Sequence, residues 1–268
     1  MSADDHVLAR DLAAEAGRRL VALRARGGEP DLLRKAGDRL GHEFLTEALA
    51  AARPGDVVLS EEGADNPARL SAGRVWIVDP LDGTREFGVA GRTDWAVHVA
   101  LWERGPDAAR GPDGIPGPDG TPGRLTAGAV ALPAQDRVLS TAAPAAVPPP
   151  EPGAPLRIVV SRTRAPRFVR DVADLTGAEL VPMGSAGAKV AAVVLGQADA
   201  YLHGGGFYEW DTAAPVAVAR AAGLWASRID TAPLRYNQPD LLMPDILVCR
   251  PVLLVMLVQA IREVTDAH

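Results

Sequence analysis

Apolar side chains at Val7, Leu8, Leu12, Ala16, Leu20 and Leu23 recur in steps of three and four. That spacing places them on one side of a helix over 7–26, which Gly27 and Gly28 end. The same period returns at Leu40, Phe44, Leu45, Ala48 and Leu49, predicting a second helix over 38–52 that Pro54-Gly55 stops. The pattern then shortens to that of strands at 57–60, 75–78, 95–102 and 125–132, with a weaker candidate at 138–141. Beyond residue 155, apolar runs at 156–161, 179–183, 199–202 and 246–249 alternate with helical stretches near 166–176, 186–196, 212–222 and 251–264. The first half therefore reads as helices followed by mostly antiparallel strands, and the second as an α/β alternation.

Two stretches carry neither period. Between Glu103 and Arg124 glycine recurs every third residue, at Gly111, Gly114, Gly117, Gly120 and Gly123. So few Gly-X-Y triplets inside a globular chain cannot sustain a collagen trimer, and the segment reads as a surface loop joining two strands. The run AAPAAVPPPEPGAP at 142–155 reads as an extended linker, which divides the chain into 1–150 and 151–268.

Composition narrows the function classes. The chain has 268 residues, 47% of them hydrophobic and 23% charged, which excludes global disorder and supplies a large core. One cysteine, Cys249, allows neither an internal disulfide nor a thiolate zinc site and fits a reducing compartment. The acidic, helical start lacks the basic and apolar regions of a signal peptide, and the apolar run 252–261 is far short of the roughly 20 residues of a membrane span. The expectation is a cytoplasmic protein without stable membrane association. A net charge of −6 argues against a nucleic-acid polymer as partner, while 34 acidic residues offer hard oxygen ligands for cations. Lysine occurs only as Lys35 and Lys189.

The segment 76–87, WIVDPLDGTREF, is the most informative. An apolar strand runs into Asp79, which the following proline holds extended, so the strand is expected to end there with the carboxylate beyond the sheet edge. Asp82 follows one tight turn later. Two such carboxylates and the intervening Leu81 carbonyl suit hard divalent cations. Gly83 permits close backbone approach, and a helix starting at Thr84 would present amides to a phosphate oxygen. Taken alone, the hexapeptide is also an ordinary turn. Glu61 and Glu62 emerge from another strand end, 18 residues before Asp79, where a lone acidic pair is usually solvated. Asp211, in W-D-T-A-A-P at 210–215, alone reads as a helix cap.

Together these elements say more. Asp38, Glu61-Glu62, D-P-L-D-G-T at 79–84 and W-D-T-A-A at 210–214 stand in an order that resembles the lithium-sensitive, magnesium-dependent phosphatases of the inositol monophosphatase superfamily. The resemblance spans nearly the whole chain. Within the superfamily, D-G-T-R-E-F, W-D-T-A-A and G-S-A-G-A-K look most like the bacterial 3'(2'),5'-bisphosphate nucleotidases.

The resemblance implies an α+β fold, a layered αβαβα sandwich of the sugar-phosphatase type. Residues 1–150 would then carry most metal ligands, and 151–268 would supply Asp211 and the substrate pocket. Glu61, Asp79, Asp82, Asp211 and the Leu81 carbonyl would hold two or three Mg²⁺ ions. Thr84, paired with Asp38, would hold the attacking water, and Glu62 would support water on the metal. Such ions are suited to a reaction whose enzymatic accelerations reach about 10²¹. Gly83, Thr84, Arg85, Gly184, Ser185, Lys189 and Asp211 would bind substrate. G-S-A-G-A-K departs from the family's G-S-S-L-K, which is one residue shorter. Lys189 accordingly reads either as a donor to a second phosphate or as a surface helix residue. Arg162, Arg164, Arg235, Tyr208 and Trp210 are weaker candidates, and His98 reads as a satisfied core histidine. The implied partner is a small phosphorylated nucleotide, adenosine 3',5'-bisphosphate, with inositol 1-phosphate and fructose 1,6-bisphosphate as alternatives. A silent metabolite-binding protein is the remote one. Monomer and homodimer both stay open.

Overall fold

The computed structural model describes residues 4–105, 115–116, 122–163 and 165–266. In chain order the elements are α1 (Asp5–Ala25), α2 (Pro30–Ala52), β1 (Val57–Ser60), β2 (Arg74–Asp82), α3 (Thr84–Phe87), β3 (Ala96–Arg104), β4 (Ile115–Pro116), β5 (Pro122–Leu132) and β6 (Arg137–Ser140). They continue with β7 (Arg157–Ser161), α4 (Arg167–Thr176), β8 (Glu179–Met183), α5 (Ala186–Val194), β9 (Ala200–His203), β10 (Phe207–Tyr208), α6 (Glu209–Ala221), β11 (Trp225–Ser227), β12 (Leu242–Met243), β13 (Ile246–Cys249) and α7 (Leu254–Asp266). Most of the triplet glycines, Gly111, Gly114, Gly117 and Gly120, lie outside the described residues.

Among the described residues, one sheet runs β1-β2-β3-β5-β4 with β6 also on β5, and another runs β11-β13-β9-β7-β8. The first is antiparallel except for the parallel pair β1/β2, and the second is parallel only through β9-β7-β8. Alternation along each strand gives each sheet two apolar faces, and three packed clusters fill the spaces so created. Trp76, Val78, Val97, Val99 and Leu101 meet Ala9, Leu12, Leu20, Leu45 and Leu49 of α1 and α2. Val75, Ile77, Ala100 and Val130, on the opposite face, meet α5 and α6, whose far sides meet Val159, Tyr201 and Val248. Ile158, Val160, Leu202 and Leu247 close against Val169, Val172, Leu257 and Ile261 of α4 and α7. The result is the αβαβα sandwich.

Two local expectations are corrected. The second helix starts at Pro30, not Asp38, with Glu29 accepting the Leu32 N–H as its cap. Its first turns were hidden because part of the inner face is glycine. A Cβ on Gly37 would come 2.8 Å from Leu81 Cδ2, and one on Gly41 2.9 Å from the Pro80 carbonyl oxygen. These two positions, one turn apart, let α2 lie directly on the Pro80-Leu81 backbone. Second, β2 does not end at Asp79. Its pairing with β3 shifts register between Asp79 and Asp82 and then resumes. Pro80 has no N–H, and Asp79 Oδ1 takes that of Leu81 at 3.0 Å, so the segment bulges and carries on. Asp79 is consequently buried between its neighbouring strands instead of projecting from an edge.

Candidate active site

The parallel register of β1 and β2 pairs Ser60 with Val78, and the ladder extends one step further through the Glu61 N–H on the Val78 carbonyl. The next residues, Glu61 and Asp79, therefore come side by side, and their carboxylates repel when both are charged. His42 on α2 braces the same strand end through Nδ1 to Ser60 Oγ at 2.9 Å. Asp38, one turn earlier on α2, accepts from Thr84 Oγ1 at 3.2 Å, and Thr84 also lies 3.0 Å from the Leu81 carbonyl oxygen. Gly83, at φ +85°, makes the left-handed turn that leads into α3.

Asp211 is the third residue of α6, and its Oδ2 accepts the Tyr208 N–H at 2.6 Å. The cap role thus occupies one of its oxygens. Asp82 is held more tightly. Ser185 Oγ donates to its Oδ2 at 2.5 Å, and the Gly187 and Ala186 amides at the start of α5 donate at 2.7 and 3.2 Å. His98 Nε2 stands 3.2 Å from the same Oδ2, while its Nδ1 donates to the Trp210 carbonyl at 3.0 Å.

His98 is buried, as a core histidine would be, but it belongs to the site. Its reading from sequence is corrected on that point, since β3 sets it opposite Asp79. The ligating atoms of Asp79, Asp82 and His98 all lie within 4.8 Å of one another. Both ring nitrogens nevertheless face acceptors, and the Asp82 carboxylate holds the imidazole pKa above its ordinary value against the effect of burial. The imidazole Nδ1 is spent on the Trp210 carbonyl, and Nε2 is the ring atom turned toward the Asp82 carboxylate.

The carboxyls separate into two kinds. Burial would raise Asp82, but the charge and hydrogen bond of His98, the Ser185 hydroxyl and Lys189 override it and bring Asp82 down to about 2. Asp79 is pushed well up by burial and by facing Glu61 and Asp82. Lost hydration and the facing Asp211 push Glu61 up to about 7. Asp211 rises to about 6 by burial and repulsion from Asp82, and Asp38 to about 6 by burial and the charge of Glu62. Crowded, mutually repelling hard oxygens fit divalent cations, which relieve that repulsion. Glu61, Asp79, Asp82 and Asp211, with the Leu81 carbonyl, could supply such oxygens.

The site opens into a cleft of about 290 Å³ lined from both halves of the chain. Gly83, Thr84, Arg85, Ser185, Lys189 and Asp211 all contribute to its wall. Lys189 is only 5% exposed, which removes the surface alternative, and its Nζ donates to the Ser185 and Gly184 carbonyls at 2.7 and 3.3 Å. The Gly184 amide is spent on Asp94 Oδ2 at 2.6 Å. Arg162 lines the cleft and ion-pairs with Glu86, whereas Arg235 is exposed outside that lining. Arg164 lies outside the described residues. Tyr208 and Trp210 stack on each other, with centroids 4.9 Å apart, and the cleft wall beside them is His203, Gly206 and Phe207. A larger cavity of about 540 Å³ lies elsewhere, among Leu125, Ala217, Trp225 and Pro233, and among the described residues no carboxylate lines it. Glu86, Asp94 and His98 were not legible as site residues. Only Glu86, inside D-G-T-R-E-F, had a sequence signal.

The model of the inositol monophosphatase family matches residues 8–107 and 122–266. The chain belongs to that family. As a member of the inositol monophosphatase family it is a phosphatase, and among the described residues no helix is long and apolar enough to cross a membrane. The 3'-phosphoadenosine 5'-phosphate phosphatase of Mycobacterium leprae is 49% identical over 97% of this chain and 94% of its own length. The 3'(2'),5'-bisphosphate nucleotidase CysQ of Escherichia coli is 29% identical over 75% of this chain and 78% of its own. Among solved structures, CysQ from Bacteroides thetaiotaomicron, a bacterial member of the same family, superposes with a TM-score of 0.74 at 26% identity, covering 92% of this chain and 97% of that one.

Proposed function

We propose that this family member is a Mg²⁺-dependent phosphatase that removes the 3'-phosphate of adenosine 3',5'-bisphosphate, giving AMP and phosphate, and that it also accepts 3'-phosphoadenylyl sulfate. The observation that carries the substrate is the 49% identity over nearly the full chain with a phosphatase of that name. Clearing this compound would serve a cell that assimilates sulfate.

Glu61, Asp79, Asp82, Asp211 and the Leu81 carbonyl would hold the cations. When bound, Mg²⁺ supplies charge neutralisation to the phosphoryl group and acidity to the attacking water. The protein's own part is orientation. Above pH 6, where Asp38 is ionised, its carboxylate accepts a hydrogen bond from the Thr84 hydroxyl. The Thr84 hydroxyl is then left to accept a hydrogen bond from the attacking water and to aim its lone pair at phosphorus. Glu62, exposed two residues past the end of β1, would support water on the cation. The guanidinium of Arg85, on the cleft wall, would meet substrate oxygens, with the buried Lys189 adding positive charge. Li⁺ in one cation position would inhibit.

Phosphate release with Mg²⁺ from adenosine 3',5'-bisphosphate, inositol 1-phosphate and fructose 1,6-bisphosphate tests the reading, with Asp82→Asn as the blank. A large preference for the nucleotide is expected. A preference for either sugar phosphate would discard the nucleotide assignment, and turnover that Asp82→Asn leaves intact would discard the site.

A further inference from the structure

A buried polar bridge runs beside the cleft without touching it. Arg69, 1% exposed, sits in the turn at the far end of the loop that starts with Glu61. Its guanidinium donates to Asp65 Oδ1 and Oδ2 at 2.6 and 3.1 Å, to Asn237 Oδ1 at 3.0 Å and to the Gln238 carbonyl at 2.9 Å. Asn237 returns a bond from Nδ2 to the Arg69 carbonyl at 3.0 Å. The backbone amides of Asn237 and Gln238 then donate to Glu209 Oε2 and Oε1 at 2.6 and 2.7 Å. Asn237 and Glu209 are both fully buried. Glu209 opens α6, two residues before Asp211, and Tyr236 donates to Thr212 Oγ1, immediately after Asp211, at 3.2 Å.

The segment 236–238 thus grips α6 on both sides of Asp211 and, through Arg69, grips the loop that begins at Glu61. None of these gripping residues lines the cleft. Burying a guanidinium and a carboxylate costs desolvation, and apolar residues of similar volume often serve stability as well or better. The expense is intelligible if it fixes a geometry. Glu61 leaves a strand of the first sheet, Asp211 rides on a helix from the other half of the chain, and their like charges repel. We infer that the Arg69–Asn237–Glu209 bridge is a positioning device that holds Asp211 against Glu61 and so sets the affinity of the site for a divalent cation. This rests on the metal reading given above.

Asn237→Gly is the sharpest test. Residue 237 has φ +57°, which glycine adopts freely, and the variant keeps the amide that bonds Glu209 while removing only the side chain that meets Arg69. Mn²⁺ binding to the full chain, followed by calorimetry, is the readout, with kcat at saturating Mg²⁺ and Tm measured alongside. The Mn²⁺ dissociation constant is expected to rise about tenfold or more, the range seen when partners behind metal ligands are altered. kcat at saturating metal is expected to stay within about twofold, because none of the reacting groups has changed. Asp65→Asn, at the exposed end of the bridge, is expected to shift binding in the same direction by less. Wild-type Mn²⁺ affinity in a destabilised Asn237→Gly would overturn the inference and leave the bridge merely structural. Should Asn237→Gly not fold, unchanged affinity in Asp65→Asn would do the same. No Mn²⁺ binding by the unmodified chain would overturn the metal reading itself, and this inference with it.

Discussion

Ser185 shows how much rests on single side chains here. Its hydroxyl donates to Asp82 and accepts the Ala188 amide as the cap of α5, and it does so at a strained φ of +47°. Ser185→Ala is expected to lower the unfolding free energy by about 2–4 kcal/mol in a urea titration, the sum of a lost cap and a lost charge-assisted bond. Turnover should fall as well, because Asp82 loses its shortest donor. Asp79, Asp82 and Thr84 were legible in the sequence because a single turn holds them together. His98 was not, since its role depends on strand register, which sets it opposite Asp79 across β2 and β3. Arg69 and Asn237 are separated by 168 residues, and no periodicity reports such a pairing.

At the level of elements, α5 begins where β2 ends, and its first amides are spent on Asp82. Close approach of the two depends on Gly187, where an added Cβ would land on His98 Nε2. His98 has no room to retreat. Gly187→Ala should therefore cost about 1–3 kcal/mol by overpacking and displace the imidazole from Asp82, a change visible as altered histidine ring resonances in NMR spectra. Elements made by apolar periodicity, such as α1 and β13, were read nearly to their ends. The first turns of α2 and the short strands β10 to β12 escaped. The former pack partly through glycine, and the latter are two or three residues long, too short to show a period.

For the whole molecule, the raised carboxyls make stability depend on pH in a fixed direction. Asp38 and Asp211 move from 3.8 to about 6 and Glu61 from 4.5 to about 7 on folding. The folded chain therefore binds more protons than the unfolded chain between those values. In EDTA, the stability these groups contribute is full below their unfolded values and is lost as pH rises through about 6 to 7. Added Mg²⁺ should consequently raise Tm more at pH 8 than at pH 5, and equal increments at the two pH values would contradict the site described. The α5/α6 layer packs on both sheets, so heat should unfold both halves in one transition by calorimetry. The upward shift of the Glu61 carboxyl beside that of Asp79 carries a consequence for any titration of the site. A cation arriving at neutral pH meets an acid and must send its proton to the solvent. Heats of Mn²⁺ binding in Tris and in PIPES should then differ by the two buffers' ionisation enthalpies, multiplied by the number of protons expelled. Matching heats would mean that the pair had already given its proton up.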